Sequence, residues 1–277
     1  MRKYPRNMIA TLSLLALLPA AAFARDHPLQ KMPAITTEPG QNDRLFNLPL
    51  NGGETVRVLS TAPDRPRGII VMLPGGAGDV GLEENGDIRH GDNFVVRTRG
   101  LWNRRGFAVL IPDTIDRANL RGHRSSPTYA RVMAQLIALA HQQGPEPVFL
   151  LGTSQGSIAA VNGAAHAPAR SIAGVVLTES VSVMGGSRET VFSADPQAIR
   201  TPVLVVANRD DRCNVAPPQA AQRIADAMTG SRDVHVLMVA GGTTRSKKAC
   251  GSLTPHGYYG IEDRVVDAIS QWLDAHS

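Results

Sequence analysis

From Arg44 onwards the apolar positions of the chain alternate between two rhythms. Short, nearly unbroken apolar runs recur at residues 68–73, 107–111, 148–151, 172–177, 202–207 and 234–239. Such runs predict strands buried on both faces, because a half-exposed strand shows a polar residue at every second position. Between them, residues 93–104, 127–143, 157–165, 217–228 and 261–273 place their apolar residues at helical spacing. In 127–143, for example, Val132, Leu136, Leu139 and Ala140 fall on one face. Strands that alternate with helices predict an α/β fold, a mainly parallel sheet with helices on both faces. Ahead of this pattern, two extended runs flank Asn51-Gly52-Gly53 and predict a β-hairpin over residues 44–60.

The first 43 residues do not share these rhythms. Arg2, Lys3 and Arg6 precede a short apolar stretch at 8–18, and Ala22-Phe23-Ala24 fits a small-x-small cleavage site. The stretch is about half the ~20 apolar residues that a membrane span requires. Residues 1–24 therefore read as a signal peptide cleaved after Ala24, which implies a periplasmic or secreted protein with no lasting membrane anchor. Residues 25–43 hold several Pro and Gly without a period and predict a surface arm. Residues 44–277 then form a single domain.

Composition narrows the functional classes. Aromatic residues make up only 4%, too few for a base-stacking or sugar-stacking platform. Three of the 29 basic residues lie in the leader, so the remainder carries 26 basic against 24 acidic residues, a net charge of +2. Arg245, Lys247 and Lys248 form the densest basic group, too short for a phosphate-binding run, and no nucleic-acid partner is expected. The two cysteines, Cys213 and Cys250, are too few for a structural zinc site. In an oxidising compartment they can form a disulfide.

The most specific chemical signal is Gly152-Thr153-Ser154-Gln155-Gly156. It follows a predicted buried strand and opens a predicted helix, the setting of a nucleophile elbow with Ser154 at its apex. A serine hydroxyl needs a base to take its proton. Of the eight histidines, His256 alone lies between the last predicted strand and the last predicted helix, where the chain order Ser, acid, His requires the base. The acid should follow the strand at 202–207, where Asp210 and Asp211 stand together. Asp211 is the first choice, Asp210 the second, and Glu179 at the end of the preceding strand the third.

Two backbone amides should receive the charge that develops on a substrate carbonyl. One is that of Gln155; the other is that of Gly76, or alternatively Gly75, in the loop after the strand at 68–73. That loop also contains Gly76-Ala77-Gly78-Asp79-Val80-Gly81, which matches the dinucleotide fingerprint G-x-G-x-x-G. No apolar-faced helix follows it to receive a pyrophosphate, so it is not read as a cofactor site. No metal or other cofactor motif is found. If the serine, acid and histidine meet, the loops carrying Cys213 and Cys250 must meet as well, and a Cys213–Cys250 bridge follows.

On Pro74-Gly75-Gly76, the elbow, Asp210-Asp211-Arg212-Cys213 and His256-Gly257-Tyr258-Tyr259-Gly260-Ile261, the chain resembles the α/β-hydrolase superfamily across nearly all of its mature length. The last two motifs, with Asn93-Phe94-Val95-Val96-Arg97-Thr98-Arg99, look like a group of exported bacterial hydrolases. The resemblance implies a triad of Ser154, Asp211 and His256. Pro74 departs from the pattern, since a histidine often precedes the oxyanion glycines. The implied activity is hydrolysis of small-molecule carboxylic esters through an acyl-enzyme. A peptidase or amidase, an acyltransferase, or a non-catalytic binding protein on the same fold are the alternatives. Residues 180–201 are too few for a large cap domain, and the polar loop 79–93 should border an open site.

Overall fold

The computed structural model describes residues 30–36 and 42 as backbone alone, and residues 43–277 in full. The anticipated leader lies outside the described residues. Within the anticipated arm the chain nevertheless forms a strand, β1 (Gln30–Thr36), which pairs antiparallel with β2 (Asn42–Pro49). Its register shifts between Lys31 and Ala34, around Pro33, which cannot donate to a ladder and is confined to edges and bulges. The expected hairpin is β2 with β3 (Thr55–Thr61), joined across Asn51-Gly52-Gly53.

The parallel part begins with β4 (Gly68–Leu73), whose six residues are all buried. The single helix expected at 93–104 is two short ones, α1 (Phe94–Arg97) and α2 (Arg99–Arg104). Thr98 lies between them at φ −90°, ψ −2°, and its amide and hydroxyl both donate to the Phe94 carbonyl, at 3.1 and 2.7 Å, the back-bonding that bends a helix. After β5 (Phe107–Ile115), α3 (Pro127–Gln143) has the bounds expected from its apolar spacing. Pro127 occupies its first turn, and the Ser126 hydroxyl accepts from the Tyr129 amide at 3.1 Å.

The remaining elements are β6 (Val148–Thr153), α4 (Gly156–His166), β7 (Gly174–Thr178), β8 (Val203–Asn208), α5 (Ala221–Asp226), β9 (Val234–Val239) and α6 (Glu262–Ala275). The helix anticipated at 217–228 starts as a 3-10 turn at Pro218–Ala220 before α5 takes over. In place of a cap domain, the segment between β7 and β8 holds two single 3-10 turns, Val191–Ser193 and Pro196–Ala198. Among the described residues no helix is long and apolar enough to cross a membrane.

The strands form one sheet in the order β1-β2-β3-β5-β4-β6-β7-β8-β9, antiparallel through β3 and β5 and parallel from β5 to β9. Alternate residues of the parallel strands feed two cores. Ile69, Val71, Leu150, Val175 and Val205 pack with α3, α4 and α5 on one face. Ile70, Met72, Phe149, Val176 and Val206 pack with Phe94, Trp102, Val265 and Ile269 on the other. Continuous apolar runs thus go with helices on both sides, except in β9, which ends the sheet and, against expectation, is only partly buried, with His235 exposed. The chain leaves β4 for β5 in one direction and β6 for β7 in the other, so a crevice opens above the carboxyl ends of β4 and β6.

Candidate active site

Ser154 stands above this crevice at the end of β6. Its backbone is left-handed, φ +54°, a region that costs a residue with a Cβ about 1–2 kcal/mol. The surrounding turn holds it there: the Ser154 amide donates to the Thr178 carbonyl at 2.9 Å, and the Ser157 hydroxyl donates to the Ser154 carbonyl at 2.5 Å. Both flanking glycines are needed for closeness. A Cβ on Gly152 would run into the Gly156 carbonyl, and one on Gly156 into the Leu73 carbonyl. The sequence motif is therefore a strained strand-to-helix turn packed directly against β4.

His256 and Asp211 meet Ser154. The His256 Nε2 lies 3.0 Å from Ser154 Oγ, and its Nδ1 lies 2.7 Å from Asp211 Oδ2. With the ring proton on Nδ1, the serine hydroxyl donates to Nε2. Asp211 is almost fully buried, and its other oxygen accepts from the Cys213 amide at 2.8 Å. Asp210 points elsewhere: its Oδ2 accepts from the Gly241 amide at 2.6 Å in an exposed position. Glu179 is buried behind Asp211 and bonds the Asn208 amide. Of the three acids weighed from the sequence, Asp211 alone contacts the imidazole through a direct hydrogen bond.

The histidine loop is tied down by residues whose part was not legible in the sequence. The Asn208 side chain donates to the carbonyls of Gly241 and Pro255, at 2.9 and 3.1 Å, joining the end of β8 to the loop that carries His256. Thr254 accepts from the His256 amide at 3.1 Å. Arg97 in α1 donates to the Gly257 carbonyl and pairs with Glu262 at 2.9 Å. Tyr258, at φ +56°, packs its ring on Phe94 with centroids 5.0 Å apart. The segment 93–99 thus reaches the site through Phe94 and Arg97, from beneath the loop.

Opposite the histidine, the loop after β4 lies beside the elbow, as the pairing of Leu73 with Gly152 requires. A Cβ on Gly75 would stand 3.1 Å from Ser154 Cβ, so only glycine lets this backbone approach the serine freely. Gly76, at φ +60°, turns the chain away. Arg124, 1% exposed, supports the loop by donating to the Pro74 carbonyl at 3.3 Å. Gln155 caps α4 on the other side, and amides at a helix N-terminus lack intrahelical partners. Of the expected donors, Gln155 follows Ser154 directly and Gly75 approaches it closely, and Gly76 lies in the same loop as Gly75, lining the same depression as Ser154.

Gly75, Gly76, Ser154 and His256 line a depression of ≈ 320 Å³. Asp79, His90 and Asn93 from the polar loop form one wall, and Cys250, Gly251 and Ser252 form another. Cys213 and Cys250 are joined, with Cα atoms 4.6 Å apart, so the bridge anticipated from the sequence ties the acid loop to the base loop. Among the described residues, Glu179, Asp211 and His256 form the group of three that could together reach a metal ion. Both nitrogens of His256 and both oxygens of Asp211 are already engaged in hydrogen bonds, with Ser154, with the Cys213 amide and with one another.

No protein-family model matches the sequence, and no curated protein matches it. Solved structures do. An esterase from Pyrococcus furiosus aligns with a TM-score of 0.63 at 10% identity, over 88% of this chain and 98% of that one. A dienelactone hydrolase from Anabaena variabilis gives 0.59 at 15% identity, over 86% and 99%. A soluble variant of monoglyceride lipase from Saccharomyces cerevisiae, in complex with a substrate analogue, gives 0.59 at 12% identity, over 88% and 97%. At these identities the likeness is one of fold. The chain has the α/β-hydrolase fold.

Proposed function

We propose that this protein is a serine carboxylesterase acting on compact, polar esters. The observation that carries the reading is the continuous chain from Ser154 Oγ through His256 to Asp211, with steps of 3.0 and 2.7 Å. His256 Nε2 takes the Ser154 proton as Oγ attacks the ester carbonyl. The amides of Gln155 and of Gly76 or Gly75 receive the oxyanion. The imidazolium then gives its proton to the departing alkoxide, leaving an acyl-enzyme and a free alcohol. His256 next deprotonates a water, whose oxygen attacks the acyl carbon; collapse returns the proton to Ser154 and releases the acid. Asp211 holds the imidazole in the required tautomer throughout and stabilises the imidazolium.

The size and walls of the site support the substrate class. A depression of ≈ 320 Å³ lies at the small end of ligand pockets, roughly 300–1,000 Å³. Asp79, His90, Asn93 and Ser252 give it a polar lining. Across a p-nitrophenyl ester series, kcat/KM is therefore expected to peak at acetate to butyrate and to fall by tenfold or more at long chains. A maximum at long chains would contradict the compact-substrate reading while leaving the esterase reading intact.

Export to the periplasm or beyond is part of the same proposal, supported by the leader pattern and by a bridge that needs an oxidising compartment. The cysteines are separated by 37 residues, a loop whose closure contributes roughly 4 kcal/mol in the chain-entropy picture. Because the bridge joins the acid and base loops, reduction is expected to lower both Tm and kcat. Comparing oxidised protein with Cys213→Ser/Cys250→Ser checks this. An unchanged kcat in the double variant would show that the loops keep their register without the bridge.

A further inference from the structure

Glu179 is a buried acid that this reaction scheme leaves without a task. It follows β7 at 1% exposure, in the left-handed region at φ +43°. Its Oε1 accepts from the Asn208 amide at 2.8 Å. Its Oε2 is enclosed and has no hydrogen-bond partner. A carboxyl oxygen of Glu179, one of Asp211 and a ring nitrogen of His256 all lie within 4.8 Å of one another. The other titratable group facing Glu179 is Tyr258, fully buried, whose hydroxyl donates to the Val206 carbonyl at 3.2 Å.

Charge decides what this carboxyl can be. Two buried carboxylates this close repel strongly, and the neutral imidazole of the resting site offers no cation to offset a second negative charge. Burial first, and then the charge of Asp211, hold the Glu179 carboxyl well above the usual carboxylate range. Burial also pushes the Tyr258 hydroxyl upward, so it too stays neutral. Glu179 is not among the residues that line the depression, so it acts on turnover through its neighbours, Asp211 above all and Asn208 through its amide.

We infer that Glu179 is a positioning residue for the acid: a neutral carboxylic acid whose proton faces Asp211, leaving the pair one negative charge directed at His256. The kinetic part of this inference rests on the proposed triad, whereas the charge state does not. A donor beside Asp211 fixes the orientation of its carboxylate and leaves a single negative charge opposite His256, the arrangement that holds the imidazole in place and stabilises the imidazolium as Ser154 is activated.

Two variants separate shape from charge. Glu179→Gln keeps a carbonyl for the Asn208 amide, offers an N–H to Asp211 and is permanently neutral. It is expected to keep kcat and KM within about threefold, with the acid limb of the kcat/KM profile unmoved. Glu179→Ala removes the donor; kcat should fall about 10–100-fold, the equivalent of one hydrogen bond to a charged group. KM should stay within about threefold, and the acid limb should move to higher pH. A loss in Glu179→Gln as deep as that in Asp211→Asn would overturn the inference, because it would mean that an ionised Glu179 is needed. An unchanged kcat and acid limb in Glu179→Ala would overturn it as well.

The charge state has its own test, independent of any ester assay and of whether Glu179→Ala folds. A carboxyl whose pKa is raised on folding contributes stability that is complete below about pH 4.3 and is lost as pH rises toward the folded value. Wild type should therefore lose Tm relative to Glu179→Gln as pH is raised from about 5 to 8. A protonated-carboxyl C=O stretch should also be present in the infrared spectrum of wild type and absent from that of Glu179→Gln. A pH-independent Tm difference would show that Glu179 is ionised in the folded protein.

Discussion

Ser154→Ala is expected to lower kcat for ester hydrolysis by about 10⁶, to the level of background, and His256→Ala by a similar factor. The two act as a unit, 3.0 Å apart, so the double variant should be no worse than either single one. Steady-state kinetics on p-nitrophenyl acetate measures this. A second consequence concerns stability. Ser154 is held at φ +54°, which costs about 1–2 kcal/mol for a residue with a Cβ. Ser154→Gly removes that strain, while its freer unfolded chain gives back about 0.5–1 kcal/mol. The glycine variant should thus be as inactive as Ser154→Ala yet melt at a slightly higher temperature than either. A glycine variant that melts below Ser154→Ala would mean that the elbow is unstrained.

The next largest effect separates two adjacent acids. Asp211→Asn should cost about 10⁴ in kcat, whereas Asp210→Asn should stay within a fewfold of wild type. The shapes of the two substitutions are the same; their positions differ. Asp211 Oδ2 receives the Nδ1 proton of His256 at 2.7 Å. An amide there can present its N–H instead, which places the ring proton on Nε2 and leaves Ser154 without an acceptor. Asp210 accepts only from the Gly241 amide in an exposed position, and an Asn carbonyl can do the same. Kinetics on the two variants side by side checks the assignment, and equal losses would refute it.

The fold was legible wherever burial imposes a pattern. The inner parallel strands are buried on both faces, so their apolar runs stood out, and α3 had both its apolar stripe and its Ser126-Pro127 start in view. What was hidden depends on single backbone interactions. Thr98 divides 93–104 by bonding the Phe94 carbonyl, and apolar spacing does not register such a bond. β1 lies at the sheet edge around Pro33, where neither alternation nor an unbroken apolar run is required.

The candidate site shows the same division. The placement of Ser154 and His256 followed from chain order, because the α/β topology brings strand ends to one edge of the sheet. Chain order put Asp211 first but left Asp210 and Glu179 open, since all three follow strands ending at that edge and the direction of each side chain is not written in the sequence. Asn208, Thr254 and Arg97 hold the histidine loop by contacts to backbone carbonyls and amides. Such contacts leave no motif, because their partners are main-chain groups that any sequence supplies.

The proposed chemistry requires an activated serine at position 154. Its most direct test is to treat the oxidised mature protein with a serine-reactive fluorophosphonate at neutral pH and locate the adduct by peptide mass spectrometry. Stoichiometric labelling on Ser154, lost in Ser154→Ala and strongly slowed in His256→Ala, is the expected result. A folded protein that takes up no label, or labels equally well without Ser154, would contradict it.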